Sequence, residues 1–383
     1  MKIDIRTIKA GHVAEIYITA TPTPQPQGHN QIEQLFTAIA KTLRSSNSRI
    51  FQERVFTTAQ ALEKNRSTRA RIYGDLDDGV SPTWLVASEG LEGKIAGVQI
   101  HALTGCGSPQ ILKADNVPCG RIIRVPGIDY LTLSNICRPE LSDRNSQAQA
   151  MLEKAESILE LAGIDLFDVS RTWMWLDNIL EWYGDFNRIR NDFFRKYNLI
   201  AENKSNKMPA STGIGLRNKN GTLCVMELIA AAGKQSSIEY FDAGGNQQSA
   251  FKYGSAFSRA VRTRTPGGFT LFISGTASIA ADGKTIHIGN AQSQIETTVK
   301  NVQAILEELD YTDNDVVHAI AYCKTPEVEK LFTSGWSDLP WPTINVIADI
   351  CRDDLLFEAE VTAAKSADAG AYKNTQREDS TNP

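Results

Sequence analysis

The sequence predicts an α/β (α+β) fold assembled from tandem βαβ-containing modules in one chain. Three internal matches predict it. Residues 156–176 ("ESILELAGIDLFDVSRTWMWL") align with residues 303–323 ("QAILEELDYTDNDVVHAIAYC"), with Ile158, Leu159, Glu160, Asp168 and Val169 recurring at constant offset as Ile305, Leu306, Glu307, Asp315 and Val316. Upstream, residues 129–136 ("DYLTLSNI") match residues 269–276 ("FTLFISGT"). Downstream, residues 209–232 ("PASTGIGLRNKNGTLCVMELIAAA") match residues 340–364 ("PWPTINVIADICRDDLLFEAEVTAA").

Each copy begins with an alternating apolar strand and continues as a helix with apolar residues every three or four positions. A short acidic turn leads to a strand with aromatic or branched residues at alternate positions, and each copy ends in a proline-led hairpin. A weaker third copy stands at the front: the helical pattern "IEQLFTAIAKTL", then "RVFTTAQALEK", then the proline-led "PTWLVASEGLEGKIAGVQIHAL". That copy reads as degraded, without a counterpart of the "TLFISGT" strand pair. The expected division is residues 1–115, 116–235 and 236–365, with 366–383 a disordered tail; one α/β domain joined to an unrelated one is the alternative. The segment "TPTPQPQG" reads as a Pro-rich connector, and the small, polar residues after 365 lack core-forming side chains.

Bulk properties narrow the function. The chain has 383 residues, 42% hydrophobic and 22% charged, enough for substantial cores. A net charge of −5 without any basic stripe argues against nucleic-acid binding. No stretch has the length and apolarity of a membrane span, and the first twenty residues lack an apolar core with a cleavage site, so a cytoplasmic protein is expected. The six cysteines are scattered without a CxxC pair and read as reduced thiols. His101 and His318 sit in apolar runs with no ligand cluster near them, so no metal is expected. With neither a P-loop nor a dinucleotide fingerprint, no organic cofactor is expected either.

The stretch "CRDDLLFEAEVTAA" (residues 351–364) raises the chemical question. On a strand Glu358 and Glu360 point to one face while Phe357, Ala359 and Val361 point to the other. A solvated face is the ordinary reading of such a pair. Upstream, Tyr183 and Arg190 are seven residues apart, two turns along one helix face, and so can jointly hold a carboxylate. Tyr253 and Arg259 fall in the glycine-containing "YGSAFSR". Ala277, at the head of a strand, leaves room for a ring. For each arginine the alternative is a surface ion pair, more so for Arg171 and Arg262. Trp175 and Trp182 read as core.

Four stretches in one order carry a resemblance: "RTWMWLDNILEWYGDFNRIRNDFF" (171–194), "MPASTGIG" (208–215), "AFKYGSAFSRA" (250–260) and "ICRDDLLFEAE" (350–360). They resemble the chorismatases, single chains built from modules of the Rid/YjgF type, and the resemblance covers most of residues 120 to 363. It implies a pseudo-trimeric monomer that cleaves the enolpyruvyl ether of chorismate to pyruvate and a ring acid, without cofactor, nucleic acid or membrane. It also implies that Glu358 is the catalytic acid, with Glu360 a neighbour or solvent-facing, and that Tyr183, Arg190, Tyr253, Arg259 and Ala277 bind substrate. Cys351, placed in the opposing arm of the terminal hairpin, resembles the residue type of the 3-hydroxybenzoate-forming group rather than that of the chorismate hydrolases. The chain departs from ordinary Rid imine deaminases, whose carboxylate-holding arginine is replaced here by Thr212 and Thr343. A non-catalytic carboxylate-binding module, or an imine deaminase with a relocated arginine, remain the other readings.

Overall fold

The computed structural model describes residues 1–23, 31–90, 93–200 and 206–367, so the connector from residue 24 and the tail from residue 368 lie outside the described residues. The first third comprises β1 (Lys2–Ala10), β2 (Val13–Thr21), α1 (Gln31–Ser45), β3 (Arg49–Thr57), α2 (Leu62–Tyr73), β4 (Thr83–Val86) and β5 (Ile95–Thr104). Next come β6 (Gln110–Ala114), β7 (Val117–Val125), β8 (Ile128–Ile136), α3 (Arg144–Ala162), β9 (Val169–Leu176), α4 (Tyr183–Lys196), β10 (Ala210–Ile214), β11 (Arg217–Asn218) and β12 (Cys224–Ala232). The last third holds β13 (Ile238–Phe241), β14 (Ala260–Thr265), β15 (Gly268–Ala277), α5 (Ala291–Glu308), β16 (Val316–Cys323), α6 (Pro326–Gly335), β17 (Thr343–Ile347) and β18 (Phe357–Ser366).

These strands form three six-stranded sheets, ordered β1-β2-β5-β3-β4-β11, β10-β9-β12-β8-β7-β6 and β13-β14-β15-β18-β16-β17. The repeated aspartates are caps. Asp168 accepts from the Asp165 amide at 3.0 Å and Asp315 from the Thr312 amide at 2.8 Å, closing the turn that launches β9 and β16. Helix α3 starts on Asp143, which accepts from the Ser146 amide, and stops at Gly163 in the left-handed region with φ 73°.

Two expectations need correction. The front module does have its opening strand pair, because β1 and β2 form an antiparallel hairpin in which Ala10 faces Val13. Their alternation is masked in sequence by the charges on β1, an edge strand whose outer face is solvated. The proline-led segments, moreover, are not hairpins. β10 runs parallel to one edge of β9 and β12 antiparallel to the other, and β17 and β18 flank β16 likewise. The helix between β9 and β10 makes the parallel pairing possible, and the chain then steps across β9.

Three apolar clusters each lie between one sheet and its own helices. A fourth is shared by the opposite faces of all three sheets, combining Phe51, Phe56 and Leu85 with Tyr130, Trp175 and Val225 and with Phe272, Ile320 and Tyr322. The sheets therefore turn inward around a common core with the helices outside. Each large side chain there contributes roughly 1.5–3 kcal/mol by leaving water, which couples the three modules to one another. Three links close the ring: β11 extends the first sheet, Ser88 bridges Ile347, and the Gly215 amide donates to Asp349 O at 2.8 Å. The six cysteines are free thiols, Trp175 and Trp182 are core, and His101 is held by Glu15 at 2.8 Å. Among the described residues, no helix is long and apolar enough to cross a membrane.

The middle strands of the sheets share a register. Gln99, Glu227 and Glu360 stand opposite Arg54, Trp173 and Ile320, while Gly97, Val225 and Glu358 stand opposite Phe56, Trp175 and Tyr322. Only the third sheet carries an acid at the second of these positions.

Candidate active site

Glu358 projects from β18 into a cleft between the third sheet and the edge strand β10 of the second. Phe357, Ala359 and Val361 point instead into the helix-side core, as the alternation requires. The two sheets are tied here by the Ser258 amide donating to Pro209 O at 3.2 Å and by the Ser211 amide donating to Ser274 Oγ at 2.8 Å. The cleft is lined by Tyr183, Ser211, Gly213, Ser255, Phe257, Arg259, Gly275, Ala277, Ile279, Cys351, Arg352 and Glu358.

Glu358 is 5% exposed. Burial, followed by the charge of Glu360, pushes its carboxyl up to about 8 against the opposing pull of Arg171, Arg259 and Arg352. The group is therefore a proton donor near neutral pH. Space for it depends on Gly275: a Cβ there would stand 2.1 Å from Glu358 Oε1 and 3.3 Å from Thr212 Cγ2. Ala277, paired across the ladder with Glu358, keeps the next position small.

The sequence-chosen residues mostly converge. Tyr183, Arg259, Ala277, Cys351 and Glu358 line one cleft. Arg259 is buried, donates from Nε to Gln248 O at 3.1 Å, and lies 5.3 Å from the Phe257 ring. Arg190 does not line the cleft. It is 1% exposed beside Tyr183, and its Nη2 donates to Asn187 Oδ1 at 2.7 Å. The seven-residue spacing thus puts Tyr183 at the cleft and Arg190 beneath it. Tyr253 falls in a short turn, Ala250–Tyr253, and its side chain lies outside the described residues.

Cys351 sits in the turn between β17 and β18, not in a hairpin arm, because β17 lies beyond β16. Enclosure, and then the Glu358 charge, push its thiol up to about 12, so it stays protonated. Burial, with Cys351 next in size, likewise lifts the Tyr183 phenol to about 12. Glu360 is not solvent-facing. The second sheet packs over that face of β18, leaving Glu360 4% exposed with Arg171 Nη2 at 3.1 Å from Oε2 and Trp173 Nε1 at 2.8 Å from Oε1. Arg171 also binds the Thr212 hydroxyl, so the arginine nearest the vacated Rid position is already engaged. Arg262 pairs with Glu239 on the surface, 2.5 Å apart.

Arg352, Gly275 and Ser211 escaped the sequence reading. Arg352 donates to Gly283 O at 2.8 Å and is carried to the cleft by the same turn as Cys351; its place beside that cysteine is the one signal the sequence offers. A larger cavity of about 460 Å³ opens where β4, β10 and β17 end, lined in part by Asp177, Arg217, Lys324 and Asp349. Arg217 Nε lies 3.2 Å from Asp177 Oδ1, Lys324 Nζ pairs with Asp353 outside the lining, and no buried acid faces the cavity. The smaller cleft is the one equipped for chemistry.

No protein-family model and no curated protein matches the chain. Among solved structures, a chorismatase crystal structure aligns with 95% of this chain and 98% of its own at a TM-score of 0.59 and 19% identity. A YjgF-family protein of Neisseria meningitidis (TM-score 0.26, 20% identity) covers 34% of this chain with 95% of its own, and the YJGH protein (0.27, 22%) covers 33% with 95%. With its three six-stranded sheets the chain is an α+β protein of tandem construction. Over the aligned 95% of its length the chain has the fold of that chorismatase structure.

Proposed function

We infer that the chain is a chorismatase, cleaving the enolpyruvyl ether of chorismate. The observation that carries this reading is a buried carboxyl, Glu358, held protonated in a cleft that it shares with two arginines, Arg259 and Arg352. Enol ether cleavage begins by proton delivery to the methylene carbon, which needs an acid of raised pKa. It proceeds through an oxocarbenium ion, for which the resulting carboxylate is the counter-charge. Arg259 and Arg352 offer planar cations to the two substrate carboxylates, and Tyr183, with Arg190 beneath it, offers a hydroxyl.

Pyruvate and 3-hydroxybenzoate together contain the atoms of chorismate, so that route consumes no water overall; release of the dihydroxycyclohexadiene acid consumes one. The resemblance of Cys351 to the residue type of the 3-hydroxybenzoate-forming group favours the first product. Protonation, addition of a hydroxyl oxygen from water or the ring to the oxocarbenium carbon, and breakage of a C–O bond with return of the proton involve no change that calls for a metal, so activity survives chelation and dialysis, and a loss restored by added metal would overturn that. Because one chain supplies both walls of the cleft, a monomer is competent. A carboxylate-binding module would use the arginines but has no need of a protonated acid beside them.

The test is incubation with chorismate while following pyruvate. Glu358→Gln keeps shape and hydrogen bonding but cannot donate to carbon, and should lower the rate by about 10²–10⁴-fold. Turnover of Glu358→Gln near the parent rate would refute the assignment.

A further inference from the structure

Behind the cleft lies a charged network that draws on all three sheets. Glu360 of the third is held by Trp173 and Arg171 of the second, and its Oε1 lies 3.7 Å from Arg54 Nη1 of the first. Arg54 stacks on Trp173, 3.6 Å from the ring centroid, while its Nε binds Glu227 Oε2 at 2.6 Å and Gln52 donates to the same oxygen at 2.8 Å. Every one of these groups is buried. Two arginines balance two carboxylates, so Glu358 is a third carboxylate with no dedicated cation inside the network. Glu358 and Glu360 project from the same face of β18, two residues and about 6.6 Å apart along the strand.

We propose that Glu360 is a positioning residue for the acid: a fixed anion, clamped by groups from the first and second sheets, that keeps the neighbouring Glu358 carboxyl in its proton-donating form. This rests on Glu358 being the acid of the proposed reaction. The charged and titratable groups facing Glu358 are Glu360, Arg171, Arg259, Arg352, Cys351 and Tyr183; those facing Glu360 are Arg54, Arg171, Glu227 and Tyr322. Of the charges around Glu358, Glu360 is the largest that favours the protonated form, and it outweighs Arg171. The first third of the chain, which contributes no wall to the cleft, thereby acts on its chemistry through Arg54.

Difference infrared spectroscopy of the full-length protein against pH tests this directly, with Glu358→Gln identifying the Glu358 carboxyl band. In Glu360→Gln the midpoint of that band should fall by about one unit or more, so that at pH 8 the protonated fraction drops from about half to about a tenth. Pyruvate formation at pH 8 should fall about fivefold through kcat, with KM little changed, and the basic limb of the pH profile should move with the band. Glu360→Asp, which keeps the charge, should retain the high midpoint. Should Glu360→Gln fail to fold because Arg171 is left as an unpaired buried cation, the comparison is made in an Arg171→Met background, where adding Glu360→Gln should again lower the midpoint relative to Arg171→Met alone. An unmoved midpoint in either comparison overturns the proposal. A moved midpoint in a protein that never turns over chorismate upholds the positioning role and overturns the substrate instead.

Discussion

Gly275→Ala adds one methyl group, and the structure says where it goes. The new Cβ would stand 2.1 Å from Glu358 Oε1 and 3.0 Å from its Cδ, whereas an ordinary contact begins near 3.4 Å. The carboxyl must therefore retreat by about 1 Å, because on its other side the methyl meets Thr212 Cγ2 at 3.3 Å. Gly275 is not in the left-handed region, so alanine suits the backbone and the cost is overpacking alone, about 1–3 kcal/mol. The protein should stay folded. An acid displaced by about 1 Å from its reaction geometry should lose about 10²-fold in kcat. The assay is pyruvate release from chorismate, run beside Gly335→Ala, whose Cβ meets nothing within 4 Å. If Gly275→Ala works at the parent rate while remaining folded, either the carboxyl does not need its present place or it is not the acid.

Three further outcomes follow from the buried charges. Because the folded-state pKa of Glu358 is raised, from 4.5 to about 8, the native state holds its proton longer than the unfolded chain. The parent should accordingly lose about 3–5 kcal/mol of stability from this group as pH rises between these values, and Glu358→Gln should lose less by that amount; urea unfolding at pH 5 and pH 9 separates the two. Arg54→Met strips Glu227 of its cation and should cost about 3–5 kcal/mol at pH 8. The deficit should shrink at pH 5, where the carboxyl of Glu227, already raised by burial, takes up a proton; an unchanged Tm at pH 8 contradicts the network. Cys351→Ala should still release pyruvate but shift the ring product from 3-hydroxybenzoate toward the hydrolysed diene acid, and chromatography showing an unaltered product ratio removes the thiol from that choice.

The repeat was readable because its marks are local. Capping aspartates, helical periodicity and strand alternation are each set by residues a few positions apart, and Asp168 and Asp315 recur because each closes the same turn. Strand partners were not readable, since the order β10-β9-β12 depends on which edge of β9 the chain reaches after a helix. Glu358 was singled out by the resemblance carried by "ICRDDLLFEAE", the alternation alone allowing a solvated face. Glu360 looked like a surface residue because its partners Arg171, Trp173 and Arg54 come from distant parts of the chain. The role of Gly275 was hidden for a related reason: a glycine in a strand shows that something comes close, but not that it is a carboxyl group from β18.

Joining three like modules by peptide bonds frees them from repeating one another. In a homotrimer any substitution near the axis is made three times, so a carboxylate introduced there brings two copies of itself and needs three counter-ions. Here the equivalent places hold Gln99, Glu227 and Glu360 in one ring and Gly97, Val225 and Glu358 in the other. An odd number of charges can then be gathered on one side, and a substitution is felt at a single junction. The other two junctions then carry no counterpart of Glu358.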